Sequence, residues 1–220
     1  MRSPRKPTVP VPIPAPAATP AASTPTPILS PNGDDIIILL DPGHGMANRR
    51  PGLYDPGTTH EGIQESHIVL DWSFLIQQAL RAHGALAYLT RPDHTTPTPL
   101  RSRVPHAQRI GAAILVSIHV NYSSDPNVGG TETFYRGQSN RGLASDVNTS
   151  LVRTLGTRDR RAKTEADLGS TLAILSYPRA ILIELGFIKN THDRAAILDP
   201  ELRRLATQRL APILIRHATA

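Results

Sequence analysis

The 220-residue sequence contains no cysteine. That excludes a disulfide framework, a thiolate metal site and a cysteine nucleophile, so any metal ion has to be held by histidine and carboxylate. Aromatic residues are scarce, with one Trp, five Tyr and three Phe, and no dense basic stripe is interleaved with them, which argues against a nucleic-acid groove. No apolar run is long enough to span a membrane. The basic start at Arg2, Arg5 and Lys6 is followed by no continuous apolar stretch, so a secretory signal of the usual kind is not expected.

What is present divides the chain in two. Ten of the 21 prolines fall within residues 1–31. Proline at that density blocks helices, removes ladder donors and favours extended polyproline II, so residues 1–33 are predicted to be a disordered, Pro-rich tail or linker. Half of the net charge of +6 comes from the three cations of that segment. The remaining bias is mild and suits an anionic partner.

From residue 34 onward short apolar runs alternate with amphipathic stretches, which is the pattern of an α/β fold. Residues 34–220 are predicted to form a single domain with a mostly parallel, twisted central sheet of about six strands flanked by helices. Strands are expected at 36–40, 85–90, 113–118, 131–135, 172–175 and 180–185. Helices are expected at 66–83, 100–110, 141–155 and 202–218. The first of these is the clearest, with Ile68, Leu70, Trp72, Leu75, Ile76, Ala79 and Leu80 on one face and Gly84 as a left-handed stop. Pro105 weakens the second unless it falls in the opening turn.

The chemistry clusters where strands end. The first strand runs into Asp41-Pro42-Gly43-His44-Gly45, and the third into Ser117-Ile118-His119-Val120-Asn121. Two histidines at the carboxyl ends of two buried strands occupy the usual ligand crevice of an open α/β sheet. Glu65 begins the strongest helix, where a carboxylate is also favoured by the helix dipole. Glu184 is embedded in the apolar run Ala180-Ile181-Leu182-Ile183-Glu184-Leu185. A carboxylate there bears a desolvation cost that a structural ion pair or a metal site would offset. His44, Glu65 and His119 make a two-histidine, one-carboxylate set for a single zinc ion with an open fourth position, and Glu184 remains as a base beside it. The parts are those of a hydrolase.

The ordered set of motifs resembles the zinc-dependent N-acetylmuramoyl-L-alanine amidases of the amidase-3 type, known from bacterial autolysins and phage endolysins. The likeness is carried by Asp41 to Gly45, by a second Asp-Pro-Gly at Asp55-Pro56-Gly57, and by Gly62, Glu65, Leu70 and Asp71. It continues through Thr90-Arg91, Leu100 with Arg103, Ser117-Ile118-His119-Val120-Asn121, Gly130-Thr131-Glu132, and Ile183-Glu184-Leu185-Gly186-Phe187-Ile188 with Asn190.

The resemblance implies His44, Glu65 and His119 as zinc ligands and Glu184 as the catalytic carboxylate. It further implies hydrolysis of the amide between N-acetylmuramic acid and L-alanine of peptidoglycan, with action on the bacterial cell wall from the periplasm, the exterior or, for an endolysin, from the cytoplasm. Asp41 and Asn121 are candidates for orienting the ligands, and Arg179 for contacting substrate. A monomer with a constitutively open site is expected. Departures from the family pattern are Met46 with the intervening segment 47–54, Gln108, the Arg160-Arg161 pair, and Arg179 between Pro178 and Ala180.

Two other readings stay open at the level of sequence. A zinc carboxypeptidase would need an arginine clamp, for which Arg91, Arg160 and Arg179 are available. A wall-binding module would keep the fold without catalysis.

Overall fold

The structure, a computed structural model, describes residues 35–220. The tail expected over 1–33 lies outside the described residues. A six-stranded sheet runs in the order β6-β1-β7-β10-β8-β9, made of β1 (Ile37–Pro42), β6 (Leu86–Leu89), β7 (Ile114–Asn121), β8 (Thr131–Tyr135), β9 (Asp159–Thr164) and β10 (Ala180–Phe187). The first four in that order are parallel, β8 is antiparallel to β10, and β9 is parallel to β8. The central strands β1, β7 and β10 are apolar on both faces at their starts, as strands covered on both sides require.

One face is packed by three helices, α1 (Glu65–Ala82), α3 (Arg141–Leu155) and α5 (Pro200–Ala218), around Ile38, Leu40, Val116, Ile118, Ile181 and Ile183. Trp72 is fully buried there, and its Nε1 donates to the carbonyl of Ile197 at 2.9 Å. Among the described residues the opposite face carries α2 (Leu100–Arg109) and a 3-10 turn at Ala173–Ser176, over a smaller patch that includes Leu39, Leu115, Phe134 and Leu182.

Short helix α4 (Thr191–Leu198) begins at Asn190, whose side chain accepts from Asp193 N–H, and α5 begins at Asp199 with Pro200 in its first turn. Two ribbons, β2 (Gly45–Met46) with β3 (Tyr54–Asp55) and β4 (Thr59–His60) with β5 (Ile63–Gln64), fill the link from β1 to α1.

Two expectations are corrected. Residues 172–175 form no strand; the run folds as the 3-10 turn whose Ile174 and Leu175 cap the smaller patch. The sixth strand is instead β9, whose sequence Asp-Arg-Arg-Ala-Lys-Thr is charged because it lies at the sheet edge, where charge discourages further pairing. Pro105 sits inside α2, past its opening turn, and the helix forms around buried Arg103 and Ala107.

Candidate metal centre

On three neighbouring strands the smaller face changes from apolar to polar toward the carboxyl end: Leu39 gives way to Asp41, Leu115 to Ser117 and His119, and Leu182 to Glu184. These ends flank the point where the chain switches sides of β1, the ligand crevice of an open sheet. His44 follows β1 in a left-handed conformation at φ 62, strain that a non-glycine residue adopts only where its surroundings hold it. Gly43 has no room for a side chain, since a Cβ would lie 2.3 Å from Cε1 of His119. The two imidazoles therefore approach edge to face, with centroids 5.0 Å apart.

Glu65, 2% exposed, joins them. Its Oε1 is 3.1 Å from His44 Nε2 and 2.9 Å from His119 Nδ1, and also accepts from Val120 N–H at 3.0 Å. Oε2 accepts from Thr58 N–H at 2.9 Å. Burial pushes the Glu65 carboxyl up, but hydrogen bonds from His119 and His44 outweigh it and hold it well below the usual carboxylate range. A Cβ on Gly57 would come within 2.5 Å of Glu65 Oε2, so this second Asp-Pro-Gly also keeps the backbone close to the cluster.

His44 is oriented from behind. Its Nδ1 lies 3.1 Å from Asp55 Oδ2, which also accepts from Asn48 Nδ2 at 2.7 Å, while Asp55 Oδ1 accepts from Gly57 N–H at 2.9 Å. Burial raises the Asp55 carboxyl, yet the Asn48 amide, the Gly57 N–H and His44 hold it below its ordinary value. An ionised carboxylate only accepts, so the facing Nδ1 carries a proton; burial lowers the His44 imidazole, but Glu65 and Asp55 outweigh it and hold it above its ordinary value, with a proton also on Nε2 toward Glu65 Oε1. A metal ion held between Nε2 and Oε1 would take the place of that proton. The donor atoms of His44, Glu65 and His119 all lie within 4.8 Å of one another, so the set fits a cation bound by nitrogen and oxygen.

Glu184 pairs in register with His119 on β7 and with Glu132 on β8. Its Oε2 is buried and has no hydrogen-bond partner among the described residues. Burial first, then the nearby Glu65 and Glu132, raise its carboxyl well above the usual range. Glu132, also buried at 2% exposed, has its hydrogen-bond partners in place. Arg160 Nε at 3.0 Å, Lys163 Nζ at 2.6 Å and Asn121 Nδ2 at 2.8 Å all donate to it.

Asn121 thus donates to Glu132 and, among the described residues, makes no hydrogen bond to a member of the cluster. Asp41 acts at one remove. It accepts from Thr90, Ser117 and Arg103 Nη1 at 2.7, 2.7 and 2.8 Å, and Arg103 Nη2 donates to the carbonyl of His44 at 2.8 Å. Burial raises the Asp41 carboxyl, but Arg103 and the two hydroxyls bring it below its ordinary value. Arg91, fully buried, donates to the carbonyls of Pro42, Gly43 and Ser66, and burial together with Arg103 lowers its guanidinium to about 10.

None of the three candidate clamp arginines faces the cluster freely. Arg91 holds backbone, Arg160 holds Glu132, and Arg179 lies before the amino end of β10, where it donates to the carbonyl of Ala220. At ~3.3 Å per residue that is roughly 16 Å from Glu184. Sequence reasoning did not single out the roles of Asp55, Asn48, Arg103 and Glu132. The repeated Asp-Pro-Gly was the available signal for Asp55.

A cavity of about 240 Å³ opens beside His44 and His119, bordered by Asn48, Arg49, Leu100 and Leu172. The Asn121 to Thr131 connection carries no helix to cover it.

A sequence profile of the family described as N-acetylmuramoyl-L-alanine amidase matches residues 38–214. The chain is 31% identical over 177 residues to the amidase LytC of Bacillus subtilis, covering 78% of this chain and 33% of that protein. It is 35% identical over 175 residues to the uncharacterized protein YqiI of the same organism, covering 77% and 78%. The chain thus spans a third of LytC and most of YqiI. The crystal structure of an N-acetylmuramoyl-L-alanine amidase from Clostridium difficile 630 superposes with a TM-score of 0.72 at 24% identity, over 84% of this chain and 98% of that one.

Proposed function

This chain belongs to the N-acetylmuramoyl-L-alanine amidase family, and on that premise we propose that it binds one zinc ion and hydrolyses the amide joining N-acetylmuramic acid to L-alanine in peptidoglycan. The observation that carries the reading is the unpartnered, buried Oε2 of Glu184 beside the His44, Glu65 and His119 cluster. A carboxylate in that position has no structural use, whereas a reaction that consumes and returns a proton needs one.

His44 Nε2, Glu65 Oε1 and His119 Nδ1 are the ligands in this proposal. Zinc, when bound, supplies a Lewis acid that acidifies water and polarises the lactyl carbonyl. Glu184 takes a proton from the attacking water as its oxygen bonds to the carbonyl carbon, then delivers a proton to the alanine nitrogen as the C–N bond breaks. The products are a muramic carboxylic acid and a stem peptide with a free amine. The upward shift of the Glu184 carboxyl suits the second half of that task. Asp55 fixes the ring of His44, while Arg91 and Arg103 tie down the carbonyls of Pro42, Gly43 and His44 that set the loop. Action is assigned to the cell wall, and no helix among the described residues is long and apolar enough to cross a membrane.

The test incubates purified peptidoglycan with wild type, with Glu184→Gln, and with chelated and then zinc-restored protein, and identifies released fragments by mass spectrometry. Free peptides beginning with L-alanine, lost in the variant and on chelation and regained with zinc, are expected. Release of single amino acids would replace the reading with a carboxypeptidase, and sacculus binding without release would replace it with a binding module.

A further inference from the structure

A second cavity, of about 430 Å³, adjoins the first and has no part in the mechanism above. Asn48, Arg49, Leu100 and Ala173 border both, so the two form one continuous groove leading away from His44 and His119. Its walls are apolar at Ala47, Pro51, Leu100 and Ala173, and its charged members are Arg49 and Arg101, with no acid among the lining residues.

The two guanidiniums are available. Arg101 is exposed and makes no hydrogen bond or ion pair within the described residues. The Arg49 side chain is 77% exposed and, among the described residues, forms an ion pair with Asp55 alone, at 3.5 Å. That carboxylate is already engaged by His44, Asn48 and Gly57. Arg49 reaches this position because residues 47–53 bulge out between β2 and β3, closed by Ala47 N–H donating to the Leu53 carbonyl at 2.8 Å. This is the segment in which the sequence departs from its family.

We infer that this cavity is an anion subsite that takes the first stem-peptide carboxylate beyond the L-alanine, with Arg49 and Arg101 as the residues that select it. The inference rests on the amidase reading. Arg49 borders both cavities, and its Nε lies 3.5 Å from Asp55 Oδ2, itself 3.1 Å from His44 Nδ1, so its guanidinium stands within about two residues' length of the His44 ring, within reach of the carboxylate of the residue after alanine when the scissile amide is at the cluster. The planar guanidinium fork matches a carboxylate, and the apolar walls receive the methylenes that carry it.

The experiment measures kcat/KM on two soluble muramoyl tripeptides that differ only in whether the second residue bears a free α-carboxylate or its amide. Wild type should favour the acid about ten-fold, a factor in keeping with a charge-assisted hydrogen bond in a partly exposed groove. Arg101→Glu should erase or invert that preference while its rate on the amide form stays within about two-fold, and Arg49→Ala should reduce the preference. Cleavage of both substrates without preference in the wild type, or a preference that survives Arg101→Glu, overturns the inference and leaves the amidase reading intact. Cleavage of neither tripeptide takes down the amidase reading and this inference with it.

Discussion

On β7, Ile114, Val116, Ile118 and Val120 point to one face of the sheet while Leu115, Ser117 and His119 point to the other. The first set is apolar from end to end and lies under α1, α3 and α5. The second is apolar for one residue and polar afterward. The same division recurs on β10, where Ile181, Ile183 and Leu185 oppose Leu182 and Glu184. Period-two alternation thus lets one strand serve two purposes at once. The three-helix face supplies most of the buried apolar area, and that surplus supports the other face in holding a carboxylate that has no partner. Stability and chemistry are separated across the thickness of one sheet, so substitutions on the two faces should move different observables.

The largest separation is expected for Glu184→Gln. Loss of a proton-transfer group should lower the amidase rate by about 10²–10⁴-fold. Because the substitution replaces a buried carboxyl whose Oε2 has no hydrogen-bond partner and whose ionisation burial already opposes, the metal-free variant should melt no lower than wild type. A variant that lost both activity and several degrees of melting temperature would show that Glu184 belongs to the supporting framework and would break the comparison.

Trp72→Ala makes the opposite demand. It removes the largest side chain of the three-helix face and its bond to Ile197, and should cost about 3–5 kcal/mol in chemical denaturation. Specific activity of the folded protein at low temperature should be unchanged. A matching fall in activity of the folded fraction would mean that the faces are coupled.

The features that were plain in the sequence and those that were not sort along the same line. The apolar strands 36–40 and 113–118 announced themselves because burial on both sides leaves an unbroken run, and His44 and His119 stood out because each interrupts such a run at its end. Glu184 was visible for the same reason. β9 was not, because it pairs through its backbone while Arg160 and Lys163 turn in to Glu132 and Arg161 faces water, so the strand carries no periodic apolar signal. The 172–175 run misled because four apolar residues satisfy a strand pattern and a capping turn alike. Asp55 and Arg103 eluded residue-by-residue reading because their importance lies in what they touch. One faces His44 across 11 positions and the other reaches back 59 positions to its carbonyl.

That dependence on contact makes Asp55→Ala the next test. With the carboxylate gone, nothing holds the proton on His44 Nδ1, and zinc affinity should fall about 10–100-fold in competition with a chromophoric chelator. Folding stability should change far less than for Trp72→Ala. Unchanged affinity would mean that the backbone at φ 62 alone orients the ring.

The smallest effect is expected on the outer surface of the three-helix face, where Asp146 of α3 accepts from His217 at 2.8 Å and from Arg216 at 2.7 Å of α5. The hydrogen bond from His217 is the main reason the Asp146 carboxyl lies below its ordinary value of 3.8, and the site is 46% exposed. An acid whose carboxyl is lowered by folding contributes stability that is present above its unfolded value and lost as pH falls through the lowered one. Solvent screening limits that contribution to about 0.5 kcal/mol. Asp146→Ala should therefore destabilise by roughly that amount at neutral pH, with the difference from wild type shrinking progressively once the pH drops below 3.8. If unfolding free energies from urea titration instead differed by several kcal/mol, as for Trp72→Ala, the three-helix face would owe its strength to charge at its surface as much as to the apolar layer beneath it.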